Sequence, residues 1–258
     1  MKKIKFIGLL LCVGYLFSCE RQEEIQKFET YFDNPEFITD GLIAYYPFNG
    51  TVNDSSGNNL NGIATNVTYS TDRFGNLNGA CKLSGTDSYV TVRNNHLLNT
   101  GSYTICFWYR ADTLNDGTLR AILSKTDTLE GYVVSTIRND NYSTNLFEKT
   151  MYYKGVEAYS GSMVLGSSSN HWIQNEQEKF VFTAISFNDS TFFDHNYGQL
   201  TRETFNVPVS FIAYKFDLLI GKSNLPHLSS AKGEIDDLLI YNRFLTSDEA
   251  IKLSAWNK

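Results

Sequence analysis

The chain has 258 residues, with 22 Lys and Arg against 28 Asp and Glu and a formal net charge of −6. Scattered cations on an acidic background lack the basic footprint that nucleic-acid binding requires, but they suit neutral ligands and cations held by carboxylates. Aromatic residues make up 14% of the chain, with 18 Gly and only 4 Pro. Together with the length, this points to one generous all-β domain of short strands and tight turns.

The chain opens on a basic head, Met1-Lys-Lys-Ile-Lys5, followed by an uncharged run from Phe6 to Phe17. This is the pattern of a signal peptide over residues 1–18, the run being too short to span a bilayer as a helix. Leu16-Phe17-Ser18-Cys19 resembles the bacterial lipobox, which implies that Cys19 becomes the acylated N-terminus of a lipoprotein. Two or three acyl chains would anchor it durably, where one is marginal. Loss of Lys2, Lys3 and Lys5 takes the basic count from 22 to 19 against 28 acids, a net charge of −9. Residues 19–39 then read as the lipidated Cys and a polar tether. Acids at Glu20, Glu23 and Glu24 either resemble signals for export to the outer face or belong to a solvated linker, so the expected location is the outer membrane, lipid-anchored, facing the surface or the periplasm.

The folded domain is expected over residues 40–258. Gly41 to Phe48 reads as a strand with Pro47 near its end, which suits an edge or a bulge. A loop dense in Asn, Asp and Gly follows (Asn49 to Gly62), of the kind that turns tightly and exposes carbonyls. Short strands are then predicted at 63–69, 80–83, 89–92, 103–109, 121–124, 132–137, 151–153, 180–187, 191–193, 205–211 and 218–220. Turn signals such as Asp72-Arg-Phe-Gly75 and Ser84-Gly-Thr-Asp87 separate them. The last predicted strand, Ile235 to Tyr241, is apolar on both faces, as a central covered strand should be. It opens on the paired acids Asp236 and Asp237. Thr246-Ser-Asp-Glu249 behind it has capping-box spacing and predicts one short terminal helix. The expected fold is an all-β, two-sheet antiparallel jelly-roll sandwich. Cys81 and Cys106 lie in apolar strands, where they could pair in an oxidising envelope or serve as small free core residues.

Four blocks carry a family resemblance: Gly41-Leu-Ile-Ala-Tyr-Tyr-Pro-Phe-Asn-Gly50 with Asp54-Ser-Ser-Gly57, then Leu83 to Val92, Tyr103 to Tyr109 and Gly233 to Arg243. In this order they resemble laminin-G-like jelly-roll domains of the concanavalin-A-like lectin/glucanase superfamily, over roughly residues 41–256. The resemblance implies a sandwich that binds carbohydrate, either a glycan or a polysaccharide, or a partner protein. It also implies a calcium ion bridging the first loop and the last strand, for which the matching positions are Asp54, Asp236 and Asp237, in a structural role. Ca²⁺ takes six to eight oxygens, so carbonyls near Gly57 and Gly62 would complete the shell. The bland alternative is an Asx-turn at Asp54 and paired acids that meet Lys232 or Arg243.

Glucanases of this superfamily carry Glu-x-Asp-x-x-Glu on one strand. Glu234-Ile-Asp236 begins that motif, but position 239 is Leu. The second carboxylate that glycoside hydrolysis needs is missing, so no catalysis is expected. Histidines 96, 171, 195 and 227 fall in predicted loops without zinc-ligand spacing. For a sugar, the candidate contacts are Trp172 with His171 and Asn170 in a polar stretch, and Tyr159 upstream, since rings stack on pyranose faces while amides take hydroxyls. A loop anchor is the commoner fate of a lone Trp. The reading is a non-catalytic envelope lipoprotein. A divergent glycoside hydrolase or lyase, or an adhesion subunit without a small ligand, stands as the alternative.

Overall fold

The computed structural model describes residues 37–112, 118–126, 131–139, 145–153, 163–165, 171–173, 180–188, 191–196, 199–204, 215–226 and 228–256. Side chains are described for 37–112, 118–126, 131–135, 180–187, 215–226 and 228–256. The signal peptide, Cys19, Asn170, Tyr159 and His227 therefore lie outside the described residues, as does the strand expected at 205–211.

In chain order the strands are β1 (Leu42–Tyr46), β2 (Gly62–Thr65), β3 (Thr68–Ser70), β4 (Ala80–Ser84), β5 (Tyr89–Val92), β6 (Ser102–Ala111), β7 (Leu119–Thr126), β8 (Gly131–Asn139) and β9 (Asn145–Tyr153). They continue with β10 (Met163–Leu165), β11 (His171–Ile173), β12 (Val181–Asn188), β13 (Thr191–Asn196), β14 (Gln199–Thr204), β15 (Leu218–Ile220), β16 (Ser229–Ser230) and β17 (Lys232–Tyr241). A single 3₁₀ turn covers His96–Leu98, and helix α1 covers Ser247–Ser254.

The strands form two sheets. One runs β14-β13-β12-β6-β17-β4-β3, with β1 also on β17; the other runs β10-β9-β8-β7-β15-β5-β2, with β11 on β9 and β16 on β7. Pairing is antiparallel except at the short β16–β7 contact. This is the two-sheet jelly-roll-like sandwich that the sequence predicts. Asn66 adopts a positive φ of 49° and splits the strand expected at 63–69 into β2 and β3 in different sheets. Asn tolerates that left-handed conformation better than most residues.

The core lies between the sheets. It takes Ile105, Phe107 and Tyr109 from β6, Ile235, Leu238 and Ile240 from β17, Val90 and Val92 from β5, and Tyr132 and Val134 from β8. One end is closed by an unexpected group. Lys125 is fully buried, and its Nζ donates to Asn94 Oδ1 at 2.8 Å and to the Phe216 carbonyl at 2.6 Å. A buried ammonium needs such acceptors. Cys81 and Cys106 are both free. They sit on strands flanking β17 on opposite sides, Cys81 facing Ile235 and Cys106 facing Leu239. Two strand spacings are roughly 9.5 Å, beyond the reach of a disulfide.

Thr39–Ser247 forms one compact unit, and Phe37, Ile38 and residues 248–256 are the described part of a second. In that unit the Phe37 and Trp256 rings lie 4.9 Å apart. Helix α1 begins one residue after Thr246, with Asp248 and Glu249 in its first turn and Lys252 in its last. Both placements favour the helix dipole.

Candidate functional site

Strand β17 organises the site. Along one side it pairs with β6. Along the other it pairs first with β4, through Lys232–Ile235, and then with β1, through Leu238–Tyr241. Asp236 and Asp237 sit at the seam between β4 and β1. The acids expected to open the strand are therefore in its middle, and both are fully buried.

Consecutive strand residues normally point to opposite faces. Here the β17–β6 register slips between Asp236 and Leu239, and Asp237 takes a positive φ of 46°. That bulge turns both carboxylates toward one cation, Arg73, which lies in the turn between β3 and β4. Arg73 Nη1 is 2.6 Å from Asp236 Oδ2 and also pairs with Asp237 Oδ2. Its guanidinium is 3.8 Å from the centre of the Trp108 ring and 4.1 Å from that of Phe74. From β1, the Tyr45 hydroxyl donates to Asp237 Oδ1 at 2.7 Å. Burial, and then the Asp237 carboxylate, hold that phenol well above its ordinary pKa, so it stays a donor.

Asp54 does a different job. Its carboxylate accepts the backbone N–H groups of Tyr45 (3.0 Å), Ser56 (2.8 Å) and Leu60 (2.9 Å), and the Ser56 hydroxyl at 2.9 Å. This is the Asx-turn reading, extended into a clamp between the Asn/Gly loop and β1. Asp54 holds the backbone of Tyr45 while Asp237 holds its hydroxyl, so the three expected metal ligands are not brought together. Among the described residues no group of three or more His, Cys, Asp or Glu side chains is placed to hold a metal ion. Lys232 and Arg243 have other acids, Asp112 at 3.3 Å and Asp40 at 2.8 Å.

The face of β17 and β6 that points away from the core carries two rows across the strands. One row is Phe182, Trp108 and Asp236, in register. Phe182 and Trp108 are 4.7 Å apart, and Arg73 continues the stack to Phe74, which is 41% exposed. The neighbouring row is Arg110, Glu234 and Lys82. Arg110 Nε is 3.2 Å from Glu234, Lys82 is 3.6 Å from it, and the Arg110 guanidinium lies 4.6 Å from the Phe180 ring centre. The result is a row of rings, with Phe74 exposed and Trp108 buried, beside a carboxylate held between two cations. Farther along the same face, Thr104 accepts from Leu245 N–H at 3.0 Å and donates to the Arg243 carbonyl at 2.7 Å, so the chain after β17 covers that part.

Asp72 braces the turn that presents Phe74. Its Oδ1 accepts from Phe74 N–H at 2.9 Å and Asn76 N–H at 2.8 Å, and its Oδ2 accepts from Asn76 Nδ2 at 3.0 Å. Leu77, on the same turn, is 83% exposed.

Of the sugar candidates, His171 and Trp172 belong to β11, where they pair with Phe147 and Leu146 of β9. The stretch expected as a loop is a strand there, and His195 likewise lies in β13 rather than a turn. Sequence reasoning treated Asp72-Arg-Phe-Gly75 as a plain turn signal and so missed Arg73. The cue present was an Arg beside a Phe in a turn that packs next to the closing strand's acids only in the fold.

Comparison with known proteins adds a family and a fold. A laminin-G-like family model, described as the concanavalin A-like lectin/glucanases superfamily, matches residues 84–250. No curated protein sequence matches. Among solved structures, domain 4 of AbnA, a GH43 extracellular arabinanase from Geobacillus stearothermophilus, in complex with arabinotriose, is similar at 19% identity with a TM-score of 0.57, covering 82% of this chain and 97% of that one. The binding domain of botulinum neurotoxin DC is similar in complex with SialylT (17% identity, TM-score 0.61) and with rat synaptotagmin II (16%, 0.63). This chain, 85% covered in both cases, spans about half the length of those binding domains, 52% and 53%. The family match covers well over half of the sequence, and the two antiparallel sheets agree with it: the chain belongs to the concanavalin A-like lectin/glucanase superfamily, as a laminin-G-like member.

Proposed function

We propose that this domain is a non-catalytic carbohydrate-binding module, carried to the outer membrane on a lipid at Cys19. The observation that carries the reading is the outer face, where the exposed Phe74 and half-buried Phe182 flank the buried Trp108–Arg73 stack beside Arg110–Glu234–Lys82. Exposed ring faces stack against the C–H face of a sugar, and the Arg110–Glu234–Lys82 row offers donors and an acceptor to its hydroxyls. The bound sugars of the arabinanase domain and of the neurotoxin binding domain support the class of ligand. Against a hydrolase stands the pairing of the strand's acids: Glu234 meets Arg110 and Lys82, and Asp236 meets Arg73. Glycoside hydrolysis calls for two carboxylates flanking the scissile bond, whereas these acids are held by cations.

The test is a glycan array probed with the full chain in mild detergent. Binding to neutral oligosaccharides is expected, weakened roughly tenfold or more by Phe182→Ala or Arg110→Ala. Silence on a broad array would remove the carbohydrate reading.

A protein partner is the second reading, favoured by the braced turn that holds Phe74 and Leu77 outward. Preorganised apolar anchors suit a protein interface. Leu77→Ser would then abolish partner capture and leave the array profile unchanged.

A further inference from the structure

We infer that Arg73 is a built-in cation that takes the place of a calcium ion in this domain, so that the junction of first and last strands closes without metal. Three observations carry this. The bulge at Asp237 aims two adjacent buried carboxylates at one guanidinium nitrogen, which they share. Asp54, the third acid the family pattern would offer, has its oxygens engaged by three backbone N–H groups and a hydroxyl. Its link to Asp237 runs through Tyr45, whose N–H bonds one acid and whose hydroxyl bonds the other.

A divalent ion at the acid pair would have to displace a guanidinium that is itself stacked between Trp108 and Phe74. A planar cation tethered to the chain and shared by two carboxylates through one nitrogen is what arginine offers here and a spherical ion does not. Ca²⁺ also needs six to eight oxygens, and the seam supplies carboxylates already saturated by an arginine and a phenol. Binding energy from a metal adds to folding stability only where the folded state holds the metal, so calcium has nothing to add to this fold.

The experiment is differential scanning fluorimetry on the full chain, paired with titration calorimetry using calcium chloride alone. The expected result is one Tm in EDTA and in millimolar calcium, and no binding heat. A calcium-dependent rise in Tm that Asp237→Asn removes would overturn the inference. Arg73→Met is expected to lower Tm by about 10 °C, since it leaves two buried carboxylates without their cation. An Arg73→Met protein as stable as the wild type would overturn the inference as well. The wild-type calcium titration decides the question even where that variant does not fold.

Discussion

Replacing Arg73 by Met keeps most of the side-chain volume and removes the charge. Asp236 and Asp237 are fully buried, and Arg73 pairs with both, at 2.6 Å to Asp236. Breaking a buried ion pair from one side costs about 3–5 kcal/mol, because a charge is left without compensation in a poor solvent. Loss of the stacking on Trp108 and Phe74 adds up to about 1 kcal/mol. Against a typical total stability of about 5–15 kcal/mol, a deficit of about 4 kcal/mol is severe. Urea unfolding at neutral pH would read it as a fall in midpoint of roughly 2 M at unchanged slope. In a double-mutant cycle with Asp237→Asn, the combined loss should be less than the sum by about 1–3 kcal/mol. A loss below about 1 kcal/mol, or strict additivity with Asp237→Asn, would refute the claim that the seam depends on this cation.

Two tyrosines should respond in opposite ways to the same chemical change. The Tyr132 hydroxyl is buried with no hydrogen-bond partner among the described residues, so Tyr132→Phe should stabilise by about 1 kcal/mol in urea unfolding. Tyr46 donates to the Leu60 carbonyl at 2.7 Å, so Tyr46→Phe should destabilise by about 1–2 kcal/mol in the same assay. Asp54→Ala should cost about 3 kcal/mol and expose the Asn/Gly loop to hydrogen exchange before the strands open, because four donors lose one charged acceptor. Burial pushes the Cys81 thiol up from 9.0 to about 12. The folded state holds this proton where the unfolded chain has lost it, so the thiol's contribution is complete below pH 9 and drains away as the pH rises toward 12. Wild-type stability should therefore fall by about 1.4 kcal/mol per pH unit more than that of Cys81→Val in this window, as read by denaturant midpoints.

Much of the architecture was legible in residue patterns. β17 has apolar residues on both sides, and Leu238, Leu239, Ile240 and Tyr241 are all buried between two neighbouring strands. Asp54 behaves as its Asn- and Gly-rich context suggests, because an Asx turn is a local interaction that sequence spacing encodes. The seam was not legible for a physical reason. Arg73 meets Asp236 across 163 positions of chain, and the pairing depends on a bulge that breaks the strand's two-residue period. Pattern reading assumes that period, so it took Asp236 and Asp237 as the strand's opening acids and gave them a calcium shared with Asp54, or else the nearby Lys232 or Arg243, as partner. The ring strip was hidden likewise, since Phe182, Trp108 and Phe74 come from separate segments and meet only through sheet register. The stretch around Trp172 read as a loop because its Ser and Asn residues mask a three-residue strand.

The central claim is that the domain binds a sugar and leaves it intact. The most direct measurement incubates the full chain with a labelled oligosaccharide that it retains on an array, then recovers the ligand from the complex for mass analysis. Quantitative return of the unaltered oligosaccharide, with retention lost in Phe182→Ala, is the expected result. Cleavage products that disappear in Asp236→Asn or Glu234→Gln would contradict it and make those paired acids a catalytic site.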